Sequence, residues 1–227
     1  MAPDVVSDQG VSPENALAFW RNKKPVSSAE FAKLEEAARN RAFTVAGLAQ
    51  QDLLADLHAS LLEAIKNGDT FAQWKKRIPE ILDETGWTGT RIETIFRTNV
   101  QTAYQAGRYA QMKAVSKTRP YWQYIAVEDD RTRPEHAAMN GMVFPSDHDF
   151  WVTNYPPNGF RCRCTVRSLS ARQVEKYDYE ILEKIPSDLF YTNPKTGMEI
   201  PIASVMPDKG FATNPAISWL EGLSQAA

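Results

Sequence analysis

The sequence predicts an α+β fold, in which a helical N-terminal region with a long helix leads into a small mixed α/β domain with a short sheet and an irregular tail. Three observations carry this. Apolar residues recur at three- and four-residue spacing as far as about residue 118, the mark of amphipathic helices. Beyond Arg119-Pro120, the run Tyr121-Trp122-Gln123-Tyr124-Ile125-Ala126-Val127 is aromatic and β-branched, which suits a strand. Pro186, Pro194, Pro201, Pro207 and Pro215 then crowd the end of the chain, and each removes a backbone donor and fixes φ.

Taken in order, residues 1–12 mix Pro, Gly, Ser and Asp without periodicity, so a flexible N-terminus is expected there. Ser12-Pro13-Glu14 reads as N-cap, first-turn proline and early acid, opening a helix that carries Ala16, Leu17, Phe19 and Trp20 and ends at Lys24-Pro25. A second start at Ser27 or Ser28 leads into a long helical segment through Phe31, Leu34 and Ala38. Its stripe continues at Leu54, Leu57, Leu61 and Ile65 and stops at Asn67-Gly68. The segment from Thr70 to Arg77 presents Phe71, Trp74 and Ile78, and Gly86-Trp87-Thr88-Gly89 marks the next boundary. The strongest helix spans Thr90 to Ser116, with Gly107 placed where another backbone can come close.

In the small domain, residues 119–178, Asp130 and Thr132 are expected to cap a short helix from Pro134 to Met139. Asn140-Gly141 turns the chain into Met142-Val143-Phe144. Trp151 to Phe160 reads as a loop, Cys162 to Leu169 as a strand and Ser170 to Tyr177 as a short helix. Residues 179–227 read as an irregular extension lying over the surface. The domains expected are thus 1–12, 13–118, 119–178 and 179–227.

With 227 residues, 43% of them apolar, the chain can bury a core. A formal net charge of −2 excludes a globally basic nucleic-acid coat. No stretch approaches the roughly 20 apolar residues that span a bilayer, and Met1-Ala2-Pro3-Asp4 does not open a leader, so no membrane partner and a cytosolic site of synthesis are expected. Two cysteines one residue apart exclude a secreted disulfide framework.

Ordered motifs give the chain a resemblance. Arg91-Ile92-Glu93-Thr94-Ile95-Phe96-Arg97-Thr98-Asn99, Ala103-Tyr104-Gln105-Ala106-Gly107-Arg108 and Arg119-Pro120-Tyr121-Trp122-Gln123-Tyr124 come first. Asp130-Arg131-Thr132-Arg133-Pro134-Glu135-His136, Asn140-Gly141 and Tyr155-Pro156-Pro157-Asn158-Gly159-Phe160-Arg161-Cys162-Arg163-Cys164 follow. Together they resemble the Mu F-like family of phage head-morphogenesis proteins. The resemblance implies a minor capsid protein of the procapsid, binding the portal and capsid or scaffold proteins and in contact with packaged DNA. It implies residence inside the virion head, with the host cytoplasm as the place of assembly, and no enzyme activity.

Two thiols and an imidazole are the donors zinc prefers, and residues two apart on a strand project to one side. Metal ligands are therefore sought at His136, Cys162 and Cys164, with His148 or a nearby Asp as a fourth; packed thiols are the alternative. No cofactor is certain, and a structural zinc is the one this set suggests. Relatives in the family are expected to carry Cys-x-x-Cys where this chain has Arg133 and His136, and a His where it has Gly159, so two ligand positions are replaced. Asp129, Asp130 and His136 resemble an acid/base set for a nuclease, but helix capping by Asp130 and ion pairing by Arg131 explain the same residues, and no catalytic residue is assigned. Arg91, Arg97, Arg108, Lys113, Arg161, Arg163 and Arg167 are candidates for contact with DNA or the portal. Phe19, Trp20, Phe31 and Phe71 are expected to offer a partner an apolar surface. The rival readings are a phage-delivered toxin or nuclease, for which about fifty residues after Ser170 leave little room, and a non-specific DNA-binding protein.

Overall fold

The computed structural model describes residues 13–193 and 195–224, so the expectations placed on 1–12, Ser12 among them, lie outside the described residues. The chain divides into two compact units, 1–111 with 215–227, and 112–214.

In the first unit, α1 (Pro13–Asn22) is followed by β1 (Lys24–Pro25), so Lys24-Pro25 both ends the helix and forms a short strand. Helices α2 (Ser28–Lys33) and α3 (Glu36–Asn40) come next, then β2 (Ala42–Phe43), which pairs in parallel with β1. The long segment expected here is therefore broken. A capping box between Ser27 and Glu30 starts α2, but that helix has no buried residue to hold it, and Leu34 leaves it in an extended conformation.

Helix α4 (Gln51–Asn67) buries Leu53, Leu54, Leu57, Leu61, Ala64 and Ile65 along one face and stops at Gly68, whose φ of 66° suits glycine. Full burial of a leucine side chain such as Leu57 or Leu61 stabilises the fold by roughly 1.5–3 kcal/mol. A Thr70–Gln73 capping box opens α5 (Phe71–Lys75), and Pro79 at its first turn opens α6 (Pro79–Thr85), an additional helix that the Thr70 to Arg77 reading did not contain.

The long helix α7 (Gly89–Ala114) lies close to its expected span. Tyr104 donates its hydroxyl to the Ile65 carbonyl at 3.2 Å, and Phe96 packs on Trp74 at 5.0 Å between ring centroids. A Cβ at Gly107 would lie 2.8 Å from the backbone nitrogen of Ala16, so glycine is what lets α1 cross α7 at this distance. Phe19 and Trp20 are buried in this core. Trp20 stacks on His58 and donates its indole N–H to the His58 carbonyl, while Phe31 and Phe71 are only half-buried. The aromatic docking surface expected near the start of the chain is thus largely interior, because the α4 stripe needs these rings to cover it.

The second unit is built on a three-stranded antiparallel sheet, with β3 (Tyr121–Ile125) between β4 (Val143–Pro145) and β5 (Thr165–Leu169). Alternation along β3 separates two faces. Trp122 and Tyr124 join an aromatic core with Phe144, Phe150, Trp151 and Tyr155, whereas Tyr121 packs with Val143, Leu169 and Val174. Between β3 and β4 lies α8 (Pro134–Ala138), and Gly141, at φ 86°, turns the chain into β4. The expected Trp151-to-Phe160 loop begins inside α9 (Phe150–Thr153), and α10 (Ala171–Lys176) follows β5 behind a Ser170–Gln173 capping box.

The tail holds more regular structure than its prolines suggest. Strands β6 (Leu189–Thr192) and β7 (Glu199–Ile202) form an antiparallel hairpin, with Pro201 on a strand that pairs on one side. Val205 is buried, Asp208 donates its backbone N–H to the Asn158 carbonyl, and Asn214 donates its side-chain N–H to the Trp151 carbonyl. Finally α11 (Pro215–Ser224) rejoins the first unit, where Trp219 meets Phe19 edge-on at 5.6 Å and Asn40 donates to Ser218.

Candidate functional site

His136 sits on α8, which starts at Pro134 but has no side-chain cap, so the expected capping by Asp130 or Thr132 does not occur. Thr132 instead donates its hydroxyl to the Val127 carbonyl and to Asp129, and Asp130 pairs with Lys195. Cys162 and Cys164 precede β5 in a loop rather than lying on the strand. That loop turns through the Cys162 N–H bond to the Gly159 carbonyl and through Arg161, whose φ is 58°. Their convergence therefore comes from a loop closing over α8, not from strand alternation.

The three candidate metal ligands do meet. Cys162 Sγ lies 3.7 Å and Cys164 Sγ 3.8 Å from His136 Nδ1, and all three donor atoms fall within 4.8 Å of one another. All three residues are buried, at 4%, 5% and 2% exposure for His136, Cys162 and Cys164, which separates them from bulk water. The hydrogen bond from Cys164 draws the Cys162 thiol well down, helped by His136 and the Asn158 backbone, while that same bond and burial push Cys164 up. Tyr124, held far above its ordinary range by burial, hydrogen-bonds Cys164 and accepts from Asn158 Nδ2 at 3.1 Å. Asn158 is fully buried and also donates to the Asn154 carbonyl, yet its Oδ1 has no partner.

Arg163, between the two cysteines, grips Asp129 with both guanidinium nitrogens at 2.7 and 2.5 Å. Arg163 first, then the backbone and side chain of Arg131, hold the Asp129 carboxyl far below the usual carboxylate range. The expected Arg131 ion pair exists, with Asp129 at 3.2 Å. Asp129, Asp130 and His136 accordingly face Arg163, Lys195 and the thiols respectively, and among the described residues the one three-residue donor group is His136 with the two cysteines.

His148 is placed elsewhere. Its Nε2 lies 2.9 Å from the Glu183 carbonyl oxygen and its Nδ1 accepts from the Phe150 N–H, so both ring nitrogens are engaged. Arg133 and Gly159, where the family resemblance leads one to expect further ligands, are neighbours. Arg133 pairs with Asp208 at 3.1 Å, and a Cβ on Gly159 would run into that carboxylate and lie 3.2 Å from the Arg133 guanidinium carbon.

The basic candidates fall into two groups. On α7, exposed Arg91 donates to the Ala46 carbonyl and lies over the Trp87 ring, exposed Arg97 pairs with Glu93 at 2.6 Å, and Arg108 is half-buried. Lys113 and Arg161 are exposed in the second unit. Arg163 is tied to Asp129, and Arg167 donates to Gln123 and Tyr179, each at 2.7 Å, so these two side chains serve the fold of their own unit. Sequence reasoning missed Asn158, read as part of a turn, and Asp208, whose partner lies far along the chain. Neither has a local signal beyond the Pro-Pro-Asn-Gly run itself.

Comparison with known proteins places this geometry among relatives. The sequence model of the family described as Phage Mu protein F like protein matches residues 55–167, a span that holds His136, Cys162 and Cys164. Protein F of Escherichia phage Mu, named for capsid assembly, is 33% identical over 237 residues, covering 89% of this chain and 54% of its own. The Mu-like prophage FluMu F protein of Haemophilus influenzae is 38% identical over 161 residues, covering 64% and 39%. An uncharacterized protein of Methanocaldococcus jannaschii is 25% identical over 111 residues, 47% of this chain and 16% of its own. The chain thus spans about half the length, or less, of the curated relatives it matches. No solved structure matches it.

Proposed function

Because the chain belongs to the Phage Mu protein F like family, we propose that it acts in phage head morphogenesis, as a minor protein of the assembling capsid that works by binding other head proteins. The observation that carries this reading is the likeness to a protein named for capsid assembly along 89% of the chain. Structural work rather than catalysis is the activity this supports. The portal and the capsid or scaffold proteins are the partners proposed, with the assembling head in the host cytoplasm and then the virion as its location. Among the described residues, no helix is long and apolar enough to cross a membrane.

Of the large apolar side chains left exposed among the described residues, Phe160, Phe190, Met198 and Met206 are the most open, and all belong to the second unit. We assign partner docking to this unit, since Phe19 and Trp20 are committed to the core of the other and Phe31 and Phe71 are half-buried. DNA contact through Arg91, Arg97, Lys113 and Arg161 is a secondary part of the same proposal, resting on their exposure. The test is mass spectrometry of purified procapsids and mature heads, with crosslinking to the portal and a phage lacking the gene examined by electron microscopy. The expected result is a low, fixed copy number in procapsids, crosslinks from the second unit to portal or scaffold, and defective heads without the protein. Normal heads in its absence, or its absence from procapsids, overturns the reading.

A further inference from the structure

The donor cluster of the second unit does not depend on the assembly role, and its geometry supports a separate conclusion. We propose that His136 Nδ1, Cys162 Sγ and Cys164 Sγ bind one zinc ion, which fastens α8 to the loop before β5.

The donor chemistry comes first. Two thiolates and an imidazole form a borderline-soft set that selects zinc over the oxygen-preferring Mg²⁺ and Ca²⁺. Distances agree. With Zn–S near 2.3 Å and Zn–N near 2.0–2.1 Å, a tetrahedron sets sulfur and nitrogen roughly 3.6 Å apart and its two sulfurs about 3.8 Å apart. The observed sulfur–nitrogen separations are 3.7 and 3.8 Å, and the remaining pair lies within 4.8 Å. The sulfur–nitrogen pairs thus match a bound ion to within a few tenths of an ångström, and the two sulfurs need to close by no more than about 1 Å.

The surroundings are arranged as a second shell. Backbone groups of Asn158 and Val127 hydrogen-bond Cys162 and Cys164, and Tyr124 hydrogen-bonds Cys164, which disperses negative charge on the sulfurs. The Arg163–Asp129 bridge fixes the loop from outside. A tetrahedral ion takes a fourth donor. Asn158 and Asn154 each carry a buried side-chain oxygen without a partner; Asn158 is the one whose backbone meets Cys162, and we assign its Oδ1 to that position, directly or through a water. Burial of all three ligands closes the ion to substrate, so the site is structural. Zinc binds both cysteines as thiolates, and any proton they still carry is released to solvent.

The test uses the full chain expressed with zinc supplied, purified without chelator and analysed by native mass spectrometry and elemental analysis. One zinc per chain is expected, together with a lowered unfolding temperature after chelation that added zinc restores. Cobalt replacing zinc is expected to give thiolate charge-transfer bands and tetrahedral d–d bands at one equivalent. Cys162→Ser, Cys164→Ser and His136→Asn each lose the metal. Asn158→Ala keeps all three donors and is expected to weaken binding about tenfold; unchanged affinity removes Asn158 from the site. If a ligand variant does not fold, the wild-type measurements decide. Metal-free protein that unfolds at the same temperature with zinc or chelator, and gives no cobalt bands, overturns the proposal.

Discussion

Replacing Gly107 by alanine tests the crossing of α1 and α7 directly. On an open helix the change is favourable, since alanine exceeds glycine by about 0.8–1.0 kcal/mol in helix propensity. Here the added Cβ lies 2.8 Å from Ala16 N and 3.2 Å from both the carbonyl carbon and Cβ of Asn15. Ordinary contact begins near 3.4 Å, so α1 must retreat by about 0.6 Å, and the nearest atoms are backbone that no rotamer change can move. Overpacking of this kind costs about 1–3 kcal/mol. The cost outweighs the propensity gain over most of its range, and a net loss of roughly 1 kcal/mol is expected. Gly89→Ala is the control on the same helix, because its Cβ would meet nothing within 4 Å. Urea unfolding followed by far-ultraviolet circular dichroism reads both. Gly107→Ala should lower the midpoint of the helical unit and Gly89→Ala should hold or raise it. A Gly107→Ala protein as stable as the parent would refute the close approach and the packing built on it.

Other outcomes follow from the same structure. Leu61→Ala, at a fully buried position on α4, should cost about 2–5 kcal/mol in the same unfolding experiment; a loss below that range would mean the stripe is not packed as described. His58 is held below the ordinary histidine value of about 6.5, chiefly by burial and also by Lys23, against a raising contribution from its bond to the Trp20 carbonyl. The unfolded chain therefore binds more protons than the folded one just below 6.5. Stability from this residue is fully present above that pH and is lost as the pH falls toward the lowered folded value. His58→Gln should flatten the fall in urea midpoint between neutral and mildly acidic pH. Equal slopes in parent and variant would count against this placement of His58. Arg163→Lys keeps the charge but loses the two-pronged grip on Asp129. It should speed amide exchange through residues 127–133 while leaving DNA affinity unchanged, and a selective loss of DNA affinity would instead return Arg163 to the contact surface.

What was legible in the sequence followed from local chemistry. The α4 stripe, the Gly68 stop, α7 and the β3 run each carry their pattern within a few turns or residues, and each forms where it is expected. The spacing of Gly107 also pointed to a close backbone, which the α1 crossing supplies. Elements held by distant partners were harder to read. Residues 34–50 share the apolar content of a helix, yet pairing of β2 with β1 and the positive φ of Gly47 break it. Helix α11 has a proline at its first position, where proline suits a helix start, although by composition Pro215 reads as one more breaker in the tail. At the donor cluster, His136, Cys162 and Cys164 could be grouped from residue type alone. The bond of Asn158 to Tyr124 and the Arg133–Asp208 pair depend on separations of 34 and 75 positions that no periodicity reports.

Chain order adds a consequence for synthesis. The second unit is one continuous stretch, whereas the helical unit takes its last helix from residues beyond it. At roughly 5–20 residues per second, the intervening stretch of about a hundred residues postpones completion of the first unit by on the order of ten seconds. Until α11 emerges, the ring of Phe19 lacks its neighbour Trp219. The helical unit is therefore completed only after the unit that follows most of it in the chain, and a nascent chain stopped at Asn214 would display to chaperones an apolar face that α11 conceals.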